Sequence, residues 1–145
     1  MKKMKHLLML SLGLLLFSFQ GIAQDKLSSA NASTNKIEVI NFHSTHRCMT
    51  CNAIEANTKY TLETYFAEEL KNGTITQQTI NIDEKKNEKL AENFEASGTS
   101  LFLNIVVNGK EKQVNLTNFA FTKGKNQEAF SADLKAEINK WLRKL

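Results

Sequence analysis

The sequence predicts an α/β fold: a central mixed β-sheet flanked by helices, with a Cys-x-x-Cys pair at the start of the first long helix. Three observations predict it. Apolar, β-favouring runs alternate along the chain with stripes at helical spacing. The run Ile37 to Phe42 leads through a polar turn to Cys48 and Cys51, the only two cysteines, and a helical stripe follows. Further on, Asn108-Gly109 joins two strand-like runs, and both residues tolerate the positive φ of a type I′ hairpin turn.

The first 23 residues read as something other than fold. Lys2, Lys3 and Lys5 precede a leucine-rich run from Leu7 to Phe17, and Gly21 and Ala23 are small. That is the pattern of a secretory signal peptide, with cleavage expected between Ala23 and Gln24. The run is short for a full membrane span, which makes an uncleaved anchor the weaker alternative. No cysteine lies just after the cleavage point, so a lipid-anchored form is not expected. The whole chain carries +4, and removal of three lysines with no acid leaves +1. No basic stripe with interleaved aromatics is present, so a nucleic-acid partner is not expected. Export implies a periplasmic location, where disulfides persist.

The elements follow in order. Residues 24–36 are small, polar and without periodicity, and read as a disordered leader. The domain is expected over 37–145, enough for one core. In Ile37 to Phe42, Ile37, Val39 and Asn41 share one face while Ile40 and Phe42 share the other, the pattern of a central strand covered on both sides. Cys51 to Leu70 reads as one long helix whose apolar stripe is Ile54, Leu62, Tyr65, Phe66 and Leu70. Asn72-Gly73 ends it. Thr74 to Asp83 is a second strand, so the strand–helix–strand unit predicts a right-handed crossover with parallel pairing. A short helix is expected near Asn87 to Glu95, with Leu90, Ala91 and Phe94 inward. Leu101 to Val107 and Lys110 to Leu116 form the hairpin. Asn118 to Lys125 reads as a loop whose Phe119 and Phe121 are expected to be buried. Asn126 caps a last helix with the stripe Phe130, Leu134, Ile138, Trp141, Leu142 and Leu145.

The chemistry centres on the two cysteines. Cys-x-x-Cys between a strand and a helix is the pattern of a thiol–disulfide redox pair. A helix start has spare amide hydrogens and partial positive charge, which stabilise a thiolate there. Cys48 is therefore assigned as the exposed attacking thiolate and Cys51 as the partly covered resolving thiol. Arg47, next to Cys48, adds positive charge. A disulfide this close in sequence closes a very small loop and constrains the unfolded chain least, so it serves better as a switch than as a staple. His43 and His46 precede the pair. An exposed loop position, or tuning of the Cys48 thiolate, is expected of them ahead of metal ligation, because all four N/S groups lie on one turn rather than on separate elements. No phosphate loop, dinucleotide fingerprint or hydrolase elbow is present, so no cofactor is expected and electrons must come from a partner.

The order strand, Cys-x-x-Cys, helix, strand, helix, hairpin, helix resembles the thioredoxin fold over residues 37–145. Asn81-Ile82-Asp83 looks like the end of the thioredoxin strand before its second helix. Gly98 to Leu103 with Val107-Asn108-Gly109-Lys110 looks like its hairpin. The string from Phe42 to Glu55, together with Ser100 to Leu103 and Asn118 to Thr122, is similar to an ArsF-type thioredoxin-like family. That family's members are labelled as subunits of a nitrophenyl-compound nitroreductase, which implies redox or arsenic-linked chemistry.

Three departures from ordinary thioredoxins matter. The chain has no proline, so the cis-proline that faces the Cys-x-x-Cys in thioredoxins is replaced at about Ser100, with Thr99 beside it. A trans bond is expected there, since a non-proline cis bond costs about 3 kcal/mol. The resemblance makes Thr99 and Ser100 the candidate substrate-docking residues. Asn41 falls where thioredoxins bury an aspartate, and Arg47 replaces a tryptophan. An amide cannot take a proton from Cys51, so that help must come from water or a histidine, or be missing.

The reading at this point is an exported thiol–disulfide oxidoreductase of thioredoxin-like type. Its expected partners are protein or small-molecule thiols and disulfides, and a membrane redox partner. The alternatives are a soft-metal or arsenite module using the same dithiol with a histidine, and a non-catalytic subunit of a reductase complex.

Overall fold

A computed structural model describes residues 35–145. The expected signal peptide (1–23) and the leader as far as residue 34 lie outside the described residues. The elements run β1 (Lys36–His43), α1 (Met49–Tyr65), α2 (Ala67–Asn72), β2 (Ile75–Asn81), α3 (Glu88–Asn93), β3 (Ser100–Val107), β4 (Lys110–Asn115), α4 (Thr117–Lys123) and α5 (Gln127–Leu142). A 3₁₀ turn at Lys85–Asn87 leads into α3.

One four-stranded sheet holds them, in the order β2-β1-β3-β4. β1 runs parallel to β2 and antiparallel to β3, and β4 returns antiparallel to β3. The parallel pair needs a crossover, which α1 and α2 supply. The tight turn between β3 and β4 is the expected one: Asn108 and Gly109 have φ of 51° and 74°.

The alternation in β1 covers both faces. Ile37 and Val39 join Leu101, Leu103 and Ile105 of β3 in a core against α1, α4 and α5, through Ile54, Leu62, Phe130, Leu134 and Ile138. On the other face Ile40, Phe42 and Phe102 meet Ala91 and Phe94 of the α3 segment. β1 is therefore central and doubly covered, as its pattern predicts.

Three expectations are corrected. The first helix is not continuous: it breaks at Phe66, whose φ and ψ are −135° and 30°. No glycine or proline marks the break. Phe66 is 2% exposed in the core, and Glu68 and Glu69 fall in the first turn of the new helix, where negative charge is favoured. The buried face of α1 also differs from the apolar stripe. Tyr65 is 43% exposed, while Asn57, Thr58 and Thr61 are buried. Those three satisfy their own polar groups. Thr58 and Thr61 donate to the carbonyls four residues back at 2.8 and 2.7 Å, and Thr61 Oγ1 lies 2.9 Å from the Ser131 hydroxyl. Lastly, the expected loop at Asn118 to Lys125 is mostly the helix α4. Its seven residues are too few to show a period. Of its two aromatics, Phe119 packs on Phe130 with ring centroids 4.9 Å apart, whereas Phe121 is 44% exposed.

Candidate redox site

β1 delivers the chain to one end of the sheet, and residues 44–48 turn it into α1. Cys48 is the N-cap of that helix, in an extended conformation with φ −78° and ψ 164°. Its Sγ accepts a hydrogen bond from the Cys51 N–H at 3.1 Å, the role an N-cap oxygen ordinarily plays. Cys48 and Cys51 are joined as a disulfide with their Cα atoms 5.0 Å apart. Cys48 is exposed, whereas Cys51 is 8% exposed. The first turn of α1 holds no acidic residue, so no carboxylate there cancels the positive helix end felt by the sulfur.

Two ties hold the turn. Before α1, the Arg47 guanidinium pairs with the Glu55 carboxylate of that helix, both half-buried. Glu55 is a partner that sequence reasoning did not name. It answers part of the charge that Arg47 presents beside Cys48, and Arg47 Nε is buried without a hydrogen-bond partner. On the opposite side, the Thr45 N–H donates to Asp83 Oδ2 at 2.6 Å. Asn81 Nδ2 donates to Thr45 Oγ1 at 3.2 Å. The Asp83 carboxyl is held below the usual range by the Thr45 backbone and hydroxyl hydrogen bonds, with smaller help from the charges of His46 and His43. Asp83 was also missed from sequence. It lies 38 residues from its partner, and nothing local announces the pairing.

The structure distributes the other candidates around this turn. His43 is half-buried at the end of β1, with Nδ1 2.9 Å from the Ser44 carbonyl oxygen, and its own carbonyl accepts from the Ile82 N–H at 2.8 Å. His46 is exposed, and its carbonyl accepts from Ser44 Oγ at 2.9 Å. Among the described residues, no three His, Cys, Asp or Glu side chains are grouped so as to hold a metal ion. Ser100 pairs with Phe42 across the β1–β3 ladder, which places it one register step from His43, where the chain leaves the sheet for the cysteines. Its Oγ donates to the Gly98 carbonyl at 3.2 Å. Thr99, just before it, is half-buried. Peptide bonds are trans throughout the described residues. Asn41 is 3% exposed, and its Oδ1 is buried with no hydrogen-bond partner.

The helix start is braced from behind by the α4–α5 junction. Asn57 Nδ2 of α1 donates to the Gly124 carbonyl at 2.9 Å. A Cβ on Gly124 would stand 2.7 Å from the Ala120 carbonyl oxygen and 3.3 Å from Thr50 Cγ2. The contact with the Ala120 carbonyl is what requires glycine at this junction, while the Thr50 methyl can give way by a few tenths of an ångström.

A parallel β1–β2 pair, an antiparallel hairpin on the other side of β1, and a disulfide at the start of the helix after β1 decide the architecture. The fold is thioredoxin-like. Solved structures of similar shape include thioredoxin from Fasciola hepatica, with 16% identity, 73% of this chain and 81% of that chain covered, and a TM-score of 0.44. Thioredoxin O2 from Arabidopsis thaliana in the oxidized state shares 14% identity, with 63% and 76% covered and a TM-score of 0.41. Plasmodium falciparum thioredoxin shares 19%, with 75% and 74% covered and a TM-score of 0.40. Likeness at that level adds nothing to the strand order and disulfide position, which define the fold by themselves. No protein-family model matches the chain. No curated protein matches it either. The ArsF-type resemblance therefore rests on the quoted residues alone.

Proposed function

We propose that the protein is an exported thiol–disulfide oxidoreductase whose working pair is Cys48 and Cys51. The observation that carries this reading is the placement of the two sulfurs. Cys48 Sγ is exposed at a helix start and faces an amide hydrogen, while Cys51 is covered beside it. In the dithiol form the same amide and the helix end favour a thiolate on Cys48.

The exchange then balances in two steps. The Cys48 thiolate attacks one sulfur of a substrate disulfide, forming a mixed disulfide and expelling a substrate thiolate. Cys51 loses its proton to solvent and attacks Cys48 Sγ. The second substrate thiolate leaves, and the Cys48–Cys51 disulfide re-forms. Two electrons pass to the substrate, and the reverse sequence oxidises a substrate dithiol. Stabilising the thiolate favours the reduced protein and so makes the pair the more oxidising. Arg47, partly answered by Glu55, sets how far that goes, and His43 and His46 face the same loop. Ser100, at the start of β3 beside β1, and Thr99 just before it are the proposed docking edge for a thiol or disulfide substrate. A membrane redox partner in the periplasm would supply or remove the electrons. The ArsF-type resemblance is consistent with redox chemistry of this kind.

The test is a pair of serine variants on a model disulfide. Cys48→Ser abolishes exchange, and Cys51→Ser still attacks but accumulates the mixed disulfide. Full exchange activity in Cys48→Ser overturns the proposal.

A further inference from the structure

The end of the sheet remote from the disulfide carries a basic surface built around one tryptophan. Lys112 of β4 and Lys140 and Lys144 at the end of α5 bring their ammonium groups to 5.0, 5.4 and 4.5 Å from the Trp141 ring centroid. Trp141 and Lys144 also line an apolar groove of about 330 Å³ with Ile105, Val107 and Lys110. Arg143 is exposed next to them. Glu137 pairs with Lys140 at 2.9 Å, and Glu111 borders the groove. Among the described residues, Lys110, Lys112, Arg143 and Lys144 make no ion pair, so positive charge is in excess on this face.

Lysines on an edge strand discourage strand pairing, and that accounts for Lys110 and Lys112 on β4. It does not account for cations of α5 converging on the same ring. Like charges crowded together gain from an anionic counter-surface. The face extends over two elements rather than closing into a pocket, and it combines lysines with an apolar groove, while Trp141 beneath them is 8% exposed and donates its Nε1–H to Glu137 Oε1 at 2.8 Å. Clustered lysines beside apolar surface are what anionic headgroups attract.

Asn35, just before β1, is tied to this same face. Asn35 Nδ2 donates to the Leu145 carbonyl at 2.7 Å, and its Oδ1 accepts from the Asn108 N–H at 2.9 Å.

We propose that the Trp141 face seats on the anionic headgroups of a membrane. β1 runs from this face to the disulfide turn, eight residues or about 25 Å away. A protein seated this way holds Cys48 off the bilayer and open to thiol substrates. The proposal concerns a surface that exchange does not use, so it stands or falls independently of the redox reading.

Vesicle co-sedimentation of protein recovered from expressing cells tests it. The protein is mixed with phosphatidylglycerol–phosphatidylcholine vesicles and with phosphatidylcholine vesicles alone. Binding is expected only to the anionic vesicles, with release at about 0.5 M salt, where surface charges are screened. The double variant K112E/K144E should lose roughly tenfold or more in binding to the anionic vesicles. Its far-UV circular dichroism and its exchange rate on a model disulfide should match wild type. No binding to anionic vesicles overturns the proposal, even if an acidic protein is later found to bind the face. Equal, salt-resistant binding to both vesicle types overturns it too, as does a K112E/K144E variant that binds like wild type.

Discussion

The two faces of the sheet are covered unequally. The face carrying Ile37, Val39, Leu101, Leu103 and Ile105 is roofed by α1, α4 and α5, whose inward side chains are nearly all fully buried. The face carrying Ile40, Phe42 and Phe102 is roofed by α3 and the residues just after it, through Ala91, Phe94 and Ala96. Three phenylalanine rings, with centroids 5.2 to 5.9 Å apart, do most of the packing there. Beyond α3 that face opens into a polar groove of about 500 Å³ lined by Glu38, Asn104 and Glu111. The disulfide helix is part of the heavier roof, while the loop before it is tied to both sides: Arg47 to Glu55 in α1, and Thr45 to Asp83 on the way into α3. The difference teaches that the sulfurs are placed by the rigid side, and that the lighter side trims only their loop.

Single substitutions can break that division. Phe130→Ala removes a fully buried ring from the heavy side and should cost about 4 kcal/mol. Phe94→Ala, on the light side, should cost about 3 kcal/mol, because a short helix next to an open groove can settle into the space. Urea unfolding of the oxidised protein compares them. Equal losses, or a larger loss for Phe94→Ala, would mean that the unequal covering has no energetic counterpart.

A smaller effect separates the two ties. Glu55→Gln takes away the carboxylate that answers Arg47 and leaves its positive charge beside Cys48. Alkylation of Cys48 in the dithiol protein near neutral pH should then quicken about two- to fivefold. A rate that stays the same or falls would show that Arg47 does not act on the sulfur.

The smallest effect belongs to the other tie. The folded-state pKa of Asp83 lies below its ordinary value because of the Thr45 hydrogen bonds. Its ionised form therefore contributes stability above the ordinary value of about 3.9, and that contribution is lost as pH falls through the folded value. Asp83→Asn should unfold at slightly lower urea than wild type at neutral pH, with the difference fading as the pH falls below the ordinary carboxylate range and the folded Asp83 takes up its proton. A difference that persists in acid would rule out a charge-dependent tie.

Much of this architecture was legible because it is periodic. The two-residue alternation in β1 foretold a doubly covered strand, and the stripe Phe130, Leu134, Ile138, Trp141 foretold α5. The Asn108-Gly109 turn was readable because few residues accept positive φ. The cysteines announced the helix start by their spacing together with the strand run before them and the helical stripe after them. The missing parts lack such local signals. Asn57, Thr58 and Thr61 look like a solvent face, and only the bonds to Gly124, to neighbouring carbonyls and to Ser131 make their burial tolerable. Glu55 and Asp83 become neighbours of the disulfide loop only once α1 and the end of β2 are in place. The break at Phe66 is likewise a tertiary event without a local marker.

The bond from the Cys51 N–H to Cys48 Sγ makes one atom responsible for two jobs. The sulfur that trades partners during exchange also closes the open end of its own helix. Replacing it with serine keeps an acceptor in that spot. Alanine leaves the amide unanswered, at a further loss of about 1 kcal/mol. Whatever is attached to this sulfur at a given moment is therefore registered in the integrity of the coil that positions it.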